Sequence, residues 1–276
     1  MQGGDFSLHM NFPLGKRAGI GYLQERMLLY AVGGMDVVGL RKNFAAKMNP
    51  ARDGEPMHSS FGALLDAGTA VISDIFDTMR QMPMVLDNQI LPITGENCRF
   101  AGPAYTITGA TYYWEGGGDR SKLEAIDHMP EGVVALWAGT DIRGVCCFGD
   151  LLASAMKARG VAGAVVDGGV RDTAFIKDMG LPVLARYRTP AQAIGRWRVT
   201  ARQVPVQVRG ALQDWVPVHP GDIVVADEDG VIIVPGEMLD RVTQRVGEWS
   251  QKDSRARQDI AKGLPLIQAL AKYGHL

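Results

Sequence analysis

The strongest constraint on this fold is an alternation of short apolar runs with amphipathic helical stretches through the middle of the chain. Residues 133–137 and 145–148 read as buried strands, and residues 151–159 as a helix with Gly160 at its C′ position. Residues 164–166 form the next strand, 172–179 a helix closed by Gly180, and 182–185 a strand again. Strands separated by helices of that length predict parallel βαβ units. A chain of 276 residues that is 46% apolar can bury the substantial core such a sheet needs.

The flanks differ in character. Residues 1–55 open polar and glycine-rich, then carry helical spacing over 22–30 and 35–48, the second stretch closed by Asn49-Pro50. We expect an N-terminal helical arm over 1–55 and a main domain over 56–276. Thr69 is a good N-cap for a helix carrying Val71, Ile72, Ile75 and Phe76, with Asp74 in an early turn. Residues 90–111 break into short β-like runs punctuated by Pro92, Gly95 and Gly102-Pro103. After residue 200 the chain becomes β-rich: 204–208, 215–218, a turn at His219-Pro220-Gly221-Asp222, and two runs, 223–226 and 231–234. The last two flank Asp227-Glu228-Asp229-Gly230, a hairpin signal in which Asp229-Gly230 suits a type I′ turn. Glu237 opens a polar helix to about Ala261, and a short apolar tail follows over 264–273.

Composition excludes some classes of function. Lys and Arg number 29 against 30 Asp and Glu, a formal charge of −1, so nothing argues for nucleic acid. No apolar run is long enough to span a bilayer, and residues 1–18 lack the apolar segment of a signal peptide, so no membrane partner and a cytoplasmic location are expected. Cys98, Cys146 and Cys147 form neither a disulfide framework nor a CxxC pair, which fits a reducing compartment.

Chemistry concentrates at two strand-to-helix junctions. Gly149-Asp150-Leu151-Leu152 opens a helix, whose first amides lack internal partners and can bind an anion such as a small carboxylate. Taken alone, Asp150 would be an N-cap. Asp167-Gly168-Gly169-Val170-Arg171-Asp172 occupies the same place in the next unit, where two glycines permit a tight turn near a ligand. Arg171 offers a planar fork of donors for a carboxylate or keto oxygen. Asp172 supplies the hard oxygen that Mg²⁺ or Mn²⁺ prefers. Two such helix starts in succession, each with a carboxylate and one with an arginine, favour a shared anion-and-metal site over two unrelated caps.

Other candidates are weaker. The five histidines show no ligand spacing, and no GxSxG elbow is present. Gly116-Gly117-Gly118 lacks a P-loop lysine and reads as a surface loop, and Lys157 and Lys177 read as solvated on helix faces.

The run GDLLASAMKARGVAGAVVDGGVRD, then LPVLARYRTP and PGDIVVADEDGVIIVP, resembles the RraA-like family, which includes 4-hydroxy-4-methyl-2-oxoglutarate and 4-carboxy-4-hydroxy-2-oxoadipate aldolases. The resemblance covers roughly residues 60–270. It implies an α/β fold of the swivelling β/β/α type, assembly as homotrimers or homohexamers, and a site shared between subunits. It also implies that the backbone of Gly149, Asp150, Leu151 and Leu152 binds the pyruvate part of a 2-oxo acid, that Arg171 contacts its oxygens, and that Asp172 ligates a divalent cation, Mg²⁺ or Mn²⁺. Asp150 matches a carboxylate that acts through a water in acid–base steps, and Glu248 or Asp253 would reach a neighbour's site. The implied activity is a metal-dependent lyase that releases pyruvate, with oxaloacetate decarboxylation as a companion. The alternative is a regulatory member that binds a ribonuclease or other partner. Methyl transfer ranks lowest, since Gly168-Gly169 leads into Arg171-Asp172 and not into a cofactor loop.

Overall fold

The computed structural model describes residues 61–274 apart from 96–97, 116 and 140–141; the expected arm over 1–55 lies outside them. The elements run α1 (Gly62–Thr78), β1 (Leu91–Pro92), β2 (Phe100–Thr111), α2 (Arg120–Asp127), β3 (Val134–Ala138), β4 (Cys146–Phe148), α3 (Asp150–Ala158), β5 (Gly163–Val170), α4 (Thr173–Asp178) and β6 (Val183–Arg188). There follow β7 (Trp197–Arg202), β8 (Val206–Arg209), β9 (Trp215–Val218), β10 (Ile223–Asp227), β11 (Gly230–Val234), α5 (Leu239–Ala261) and α6 (Leu266–Tyr273).

The main sheet has the order β1-β6-β5-β3-β2-β10-β11, with β4 on β5 and β7 on β2. Its centre is parallel, β2 to β3 to β5 to β6, as the strand–helix alternation predicts. Antiparallel strands complete it, including the β10–β11 hairpin, and β8 and β9 form a separate ribbon. One face of the sheet packs Trp137, Phe148, Val166 and Ile176 with α2, α3 and α4. The other face packs Leu136, Val165 and Leu184 against Val208 and Val216 of the ribbon. A third apolar cluster sets α1 and α5 on the outer side of β10 and β11. Complete burial of β3, β5 and β10 explains why their sequences are continuous apolar runs without alternation.

Several local expectations are corrected. The first described helix starts at Gly62, before Thr69, and kinks at Gly68, whose φ of +82° is non-helical. Thr69 restarts it as the donor: its N–H and Oγ1 donate to the two oxygens of buried Asp227, at 2.7 and 2.8 Å. The cap thus comes from another strand, which local sequence could not reveal. Asp227 also accepts from Asp229 N–H at 3.0 Å, and Asp227 pairs with Gly230 across the hairpin. The turn residues are therefore Glu228 and Asp229, neither with positive φ, so the turn is not type I′. Gly168-Gly169 lies within β5 and makes no tight turn. The glycines serve close packing: a Cβ on Gly169 would strike the Tyr187 ring and the Val145 carbonyl. Trp197–Arg202 is a strand that pairs with β2, and the apolar tail forms helix α6.

Among the described residues no helix is long and apolar enough to cross a membrane. All three cysteines are free and buried.

Candidate active site

The parallel strands end at one edge of the sheet, and β5 ends between two neighbours there. β4 pairs with one side of its last residues and β6 with the other. Arg171, the next residue, is tied by its N–H to the Phe148 carbonyl at 3.2 Å, and Thr189 N–H ties to the Val170 carbonyl at 3.1 Å. Gly149, after β4, and Arg188, at the end of β6, therefore flank Arg171. This is the carboxyl edge of a parallel sheet, where helix starts and loops collect ligands.

The structure brings the two predicted helix starts together. Gly149 is the N-cap of α3 in extended backbone, and Asp150 is the first helical residue, where an N-cap had been the simpler expectation. Asp172 caps α4 with φ 57° and ψ 34°, a left-handed conformation that only a minority of non-glycine residues adopt. That turn swings its carboxylate back toward α3: Asp172 Oδ2 accepts from Asp150 N–H at 3.4 Å. A Cβ on Gly149 would overlap Asp172 Oδ2 and press on Arg171, so glycine is needed here for close approach and not for its backbone angles. Leu151 N–H donates to Asp150 Oδ1 at 2.8 Å. Two amides at the α3 start thus already hold carboxylate oxygens, the chemistry a bound carboxylate would present. Leu151 itself is 80% exposed.

Arg171 Nε lies 3.2 Å from Asp172 Oδ2, in a partly exposed pair. The contact is charged but poorly directed: Nε is shut off from solvent yet makes no geometrically sound hydrogen bond among the described residues. A buried donor left in this state costs free energy that a correctly placed ligand oxygen would recover. An open cavity of about 350 Å³ lies alongside, lined by Val170, Arg171, Asp172 and Thr173 on one wall and by Arg188, Thr189 and Pro190 on the other.

The donors fit a hard divalent cation. Asp172 and Asp150 offer carboxylate oxygens at one edge, and among the described residues no cluster of three or more His, Cys, Asp or Glu forms. One or two carboxylates with water and substrate is the donor set that Mg²⁺ takes. Glu248 and Asp253 both lie on α5, where Asp253 meets Arg257 at 3.1 Å.

Two features of the edge escaped the sequence reading. Asp167 is an ion-pair residue beneath the site, accepting Arg186 Nε at 2.8 Å while Arg186 also reaches Asp87 at 3.1 Å. The second feature is Lys122, in the first turn of α2 and only 7% exposed. Its Nζ sits 5.3 Å from the Trp197 ring centroid. Both oxygens of nearby Asp119 accept backbone N–H groups, from Lys122 and Val199. Burial pushes the Lys122 pKa down, and the Arg171 charge adds to this, against a smaller upward pull from Cys147 and Asp119. A usable signal did exist: Lys122 stands three and four residues before Ala125 and Ile126, on the helix face that is buried.

Since the folded chain holds this amine below its ordinary pKa of 10.5, the unfolded chain binds more protons between the two values. Stability therefore rises with pH through that window, and the cost of the buried charge is fully present below it. Lys122→Met is expected to stabilise the protein by ~1 kcal/mol or more at neutral pH, with the gain shrinking as pH approaches 10.5. Urea unfolding across the alkaline range measures this; a variant less stable than wild type at neutral pH would contradict it.

The fold is α/β, and its carboxyl edge gathers two helix starts, an arginine and a carboxylate suited to a divalent cation. Comparison with known proteins places it further: residues 69–233 match the RraA-like family, Aldolase/RraA, and the chain belongs to that family. A putative 4-hydroxy-4-methyl-2-oxoglutarate aldolase of Halalkalibacterium halodurans is 32% identical over 204 residues, 73% of this chain and 88% of that one. The 4-hydroxy-4-methyl-2-oxoglutarate aldolase of Thermus thermophilus is 30% identical over 62% of this chain and 94% of its own length. Protein DlpA of Legionella pneumophila is 27% identical over 80% of this chain, but the match spans only 35% of DlpA. Among solved structures, an uncharacterized protein of Pseudomonas syringae superposes with a TM-score of 0.66 at 25% identity, over 78% of this chain and 99% of that one. RraAS2 of Streptomyces coelicolor, a member of the RNase ES inhibitor RraA family, shares the fold with a TM-score of 0.61 at 22% identity, over 74% of this chain and 98% of its own.

Proposed function

We propose that this protein is a divalent-metal-dependent carbon–carbon lyase. It cleaves a 4-hydroxy-2-oxo di- or tricarboxylic acid to pyruvate and a second oxo acid, and it also decarboxylates oxaloacetate. The observation that supports this most is the convergence of the α3 amides, the buried and poorly satisfied Nε of Arg171, and the Asp172 carboxylate. The Halalkalibacterium and Thermus relatives are named as aldolases of one such acid, which supports the cleavage.

In this reading the amides of Asp150, Leu151 and Leu152 take the substrate carboxylate, the first two releasing the side-chain oxygens they now hold. Arg171 donates to the keto oxygen, where negative charge develops as the C3–C4 bond breaks. Asp172 holds Mg²⁺ or Mn²⁺, which when bound supplies Lewis-acid stabilisation of the same charge. Asp150, acting through a water, takes the proton of the C4 hydroxyl, so that the C4 carbon leaves as a carbonyl. The bonding pair becomes the pyruvate enolate, which regains a proton at C3. Decarboxylation of oxaloacetate reaches the same enolate without a hydroxyl to deprotonate. An acid from α5 of a neighbouring copy, Glu248 or Asp253, would complete the site in a homotrimer or homohexamer.

The test is pyruvate release from 4-hydroxy-4-methyl-2-oxoglutarate and from oxaloacetate with Mg²⁺ or Mn²⁺, followed through a coupled dehydrogenase. Release with metal and loss in excess chelator are expected; no release from either substrate would overturn the reading. Asp150→Asn is expected to slow aldol cleavage by about 10²-fold or more while slowing decarboxylation much less. Equal losses in the two reactions would remove Asp150 from its role.

A further inference from the structure

The cavity beside Arg171 has a second cationic wall. Arg188, at the end of β6, faces the same space as Arg171, Asp172 and Thr173. One of its nitrogens, Nη2, donates to the Ile93 carbonyl at 3.0 Å, which anchors the guanidinium. Among the described residues it makes no ion pair with an acidic side chain, in contrast to Arg171 and to Arg186 two residues before it. Its base is also fixed. Thr189 Oγ1 donates to the Gly144 carbonyl at 2.9 Å and accepts from Ala191 N–H at 3.2 Å, and Thr189 N–H holds Val170.

The order across the edge follows from the strand pairing: α3 start beyond β4, Arg171 beyond β5, Arg188 beyond β6. A 2-oxo acid whose carboxylate lies on the α3 amides and whose keto oxygen meets Arg171 would extend its far end toward Arg188. Pyruvate alone would leave that guanidinium without an anion. A guanidinium held in place with donors to spare matches a carboxylate by charge and by geometry.

We propose that Arg188 is a specificity-determining residue that binds the carboxylate distal to the 2-oxo group, so that this site selects dicarboxylic over monocarboxylic substrates. The inference rests on the pyruvate site described above and deepens it.

Two measurements test it on wild type, Arg188→Met and Arg188→Lys, all with Mg²⁺. The first compares kcat/KM for pyruvate release from 4-hydroxy-4-methyl-2-oxoglutarate, a dicarboxylate, with that from 4-hydroxy-2-oxopentanoate, a monocarboxylate. Arg188→Met is expected to lower this ratio by about tenfold or more, mainly through KM, and Arg188→Lys to restore part of it. The second is calorimetric binding of 2-oxoglutarate and of pyruvate, where the methionine variant should weaken the first more than the second. Parallel losses for both substrates and both ligands, or no change in either ratio, would overturn the proposal. A wild type that binds 2-oxoglutarate through Arg188 but releases no pyruvate would sink the lyase reading and leave this one standing. A wild type that binds neither ligand would sink both.

Discussion

Asp172→Asn is expected to lower kcat/KM for pyruvate release by about 10³-fold while leaving the fold intact. The substitution keeps the size of the side chain and removes the charge that would hold the cation beside the keto oxygen. It also removes the anion 3.2 Å from Arg171 Nε. The carboxylate is a third exposed, so its loss should change unfolding free energy by no more than ~1 kcal/mol. Steady-state kinetics with saturating Mg²⁺ and urea unfolding of the same preparations read the two effects separately. A variant that keeps more than about a tenth of wild-type activity would show that charge at this position is dispensable.

The second large effect belongs to a residue with no side chain. Gly149→Ala places a Cβ where Asp172 Oδ2 and Arg171 now lie. The Gly149 backbone, φ −131° and ψ −159°, is extended and open to any residue, so the penalty is purely steric. The cheapest relief is for the Asp172 carboxylate and the Arg171 stem to swing away. We expect a stability loss of ~1–3 kcal/mol, as for other overpacked positions, with a fall in kcat of about 10²-fold from misplacement. Activity within about threefold of wild type would mean that the contact between the two helix starts does not matter for function.

How much of this was legible in the sequence depends on whether the cause was local. The parallel centre was legible because strands buried on both faces are continuous apolar runs, as at 164–166, and because Gly160 and Gly180 mark where helices stop. The helix starts at Gly149 and Asp172 followed from the same punctuation. What escaped was set by partners distant in the chain. Asp227 caps the restart at Thr69 across 158 residues. β7 does alternate, with Trp197 and Val199 buried and Arg198 and Thr200 exposed, a strand signal too short to stand out before its pairing with β2 is known. The left-handed turn at Asp172 follows from how β5 hands over to α4, and aspartate tolerates it without announcing it. Lys122 stands as a charge on an apolar helix face, but its seat over the Trp197 ring depends on β7 pairing with β2. Arg188 carried no local mark; only the cavity shows that it and Arg171 face one space.

The family and the fold are established by the match over residues 69–233 and the superposition at a TM-score of 0.66. In the function proposed above, the edge from Gly149 to Asp172 would bind a divalent cation and a 2-oxo acid together. Electron paramagnetic resonance of Mn²⁺ added to the 276-residue chain tests it most directly, because the readout needs no turnover. Wild type should bind Mn²⁺, and its bound signal should change when pyruvate is added, while Asp172→Asn should lose that binding and Arg171→Met should keep the metal but lose the response to pyruvate. Equal Mn²⁺ binding by wild type and Asp172→Asn, or a wild-type signal indifferent to pyruvate, would contradict it.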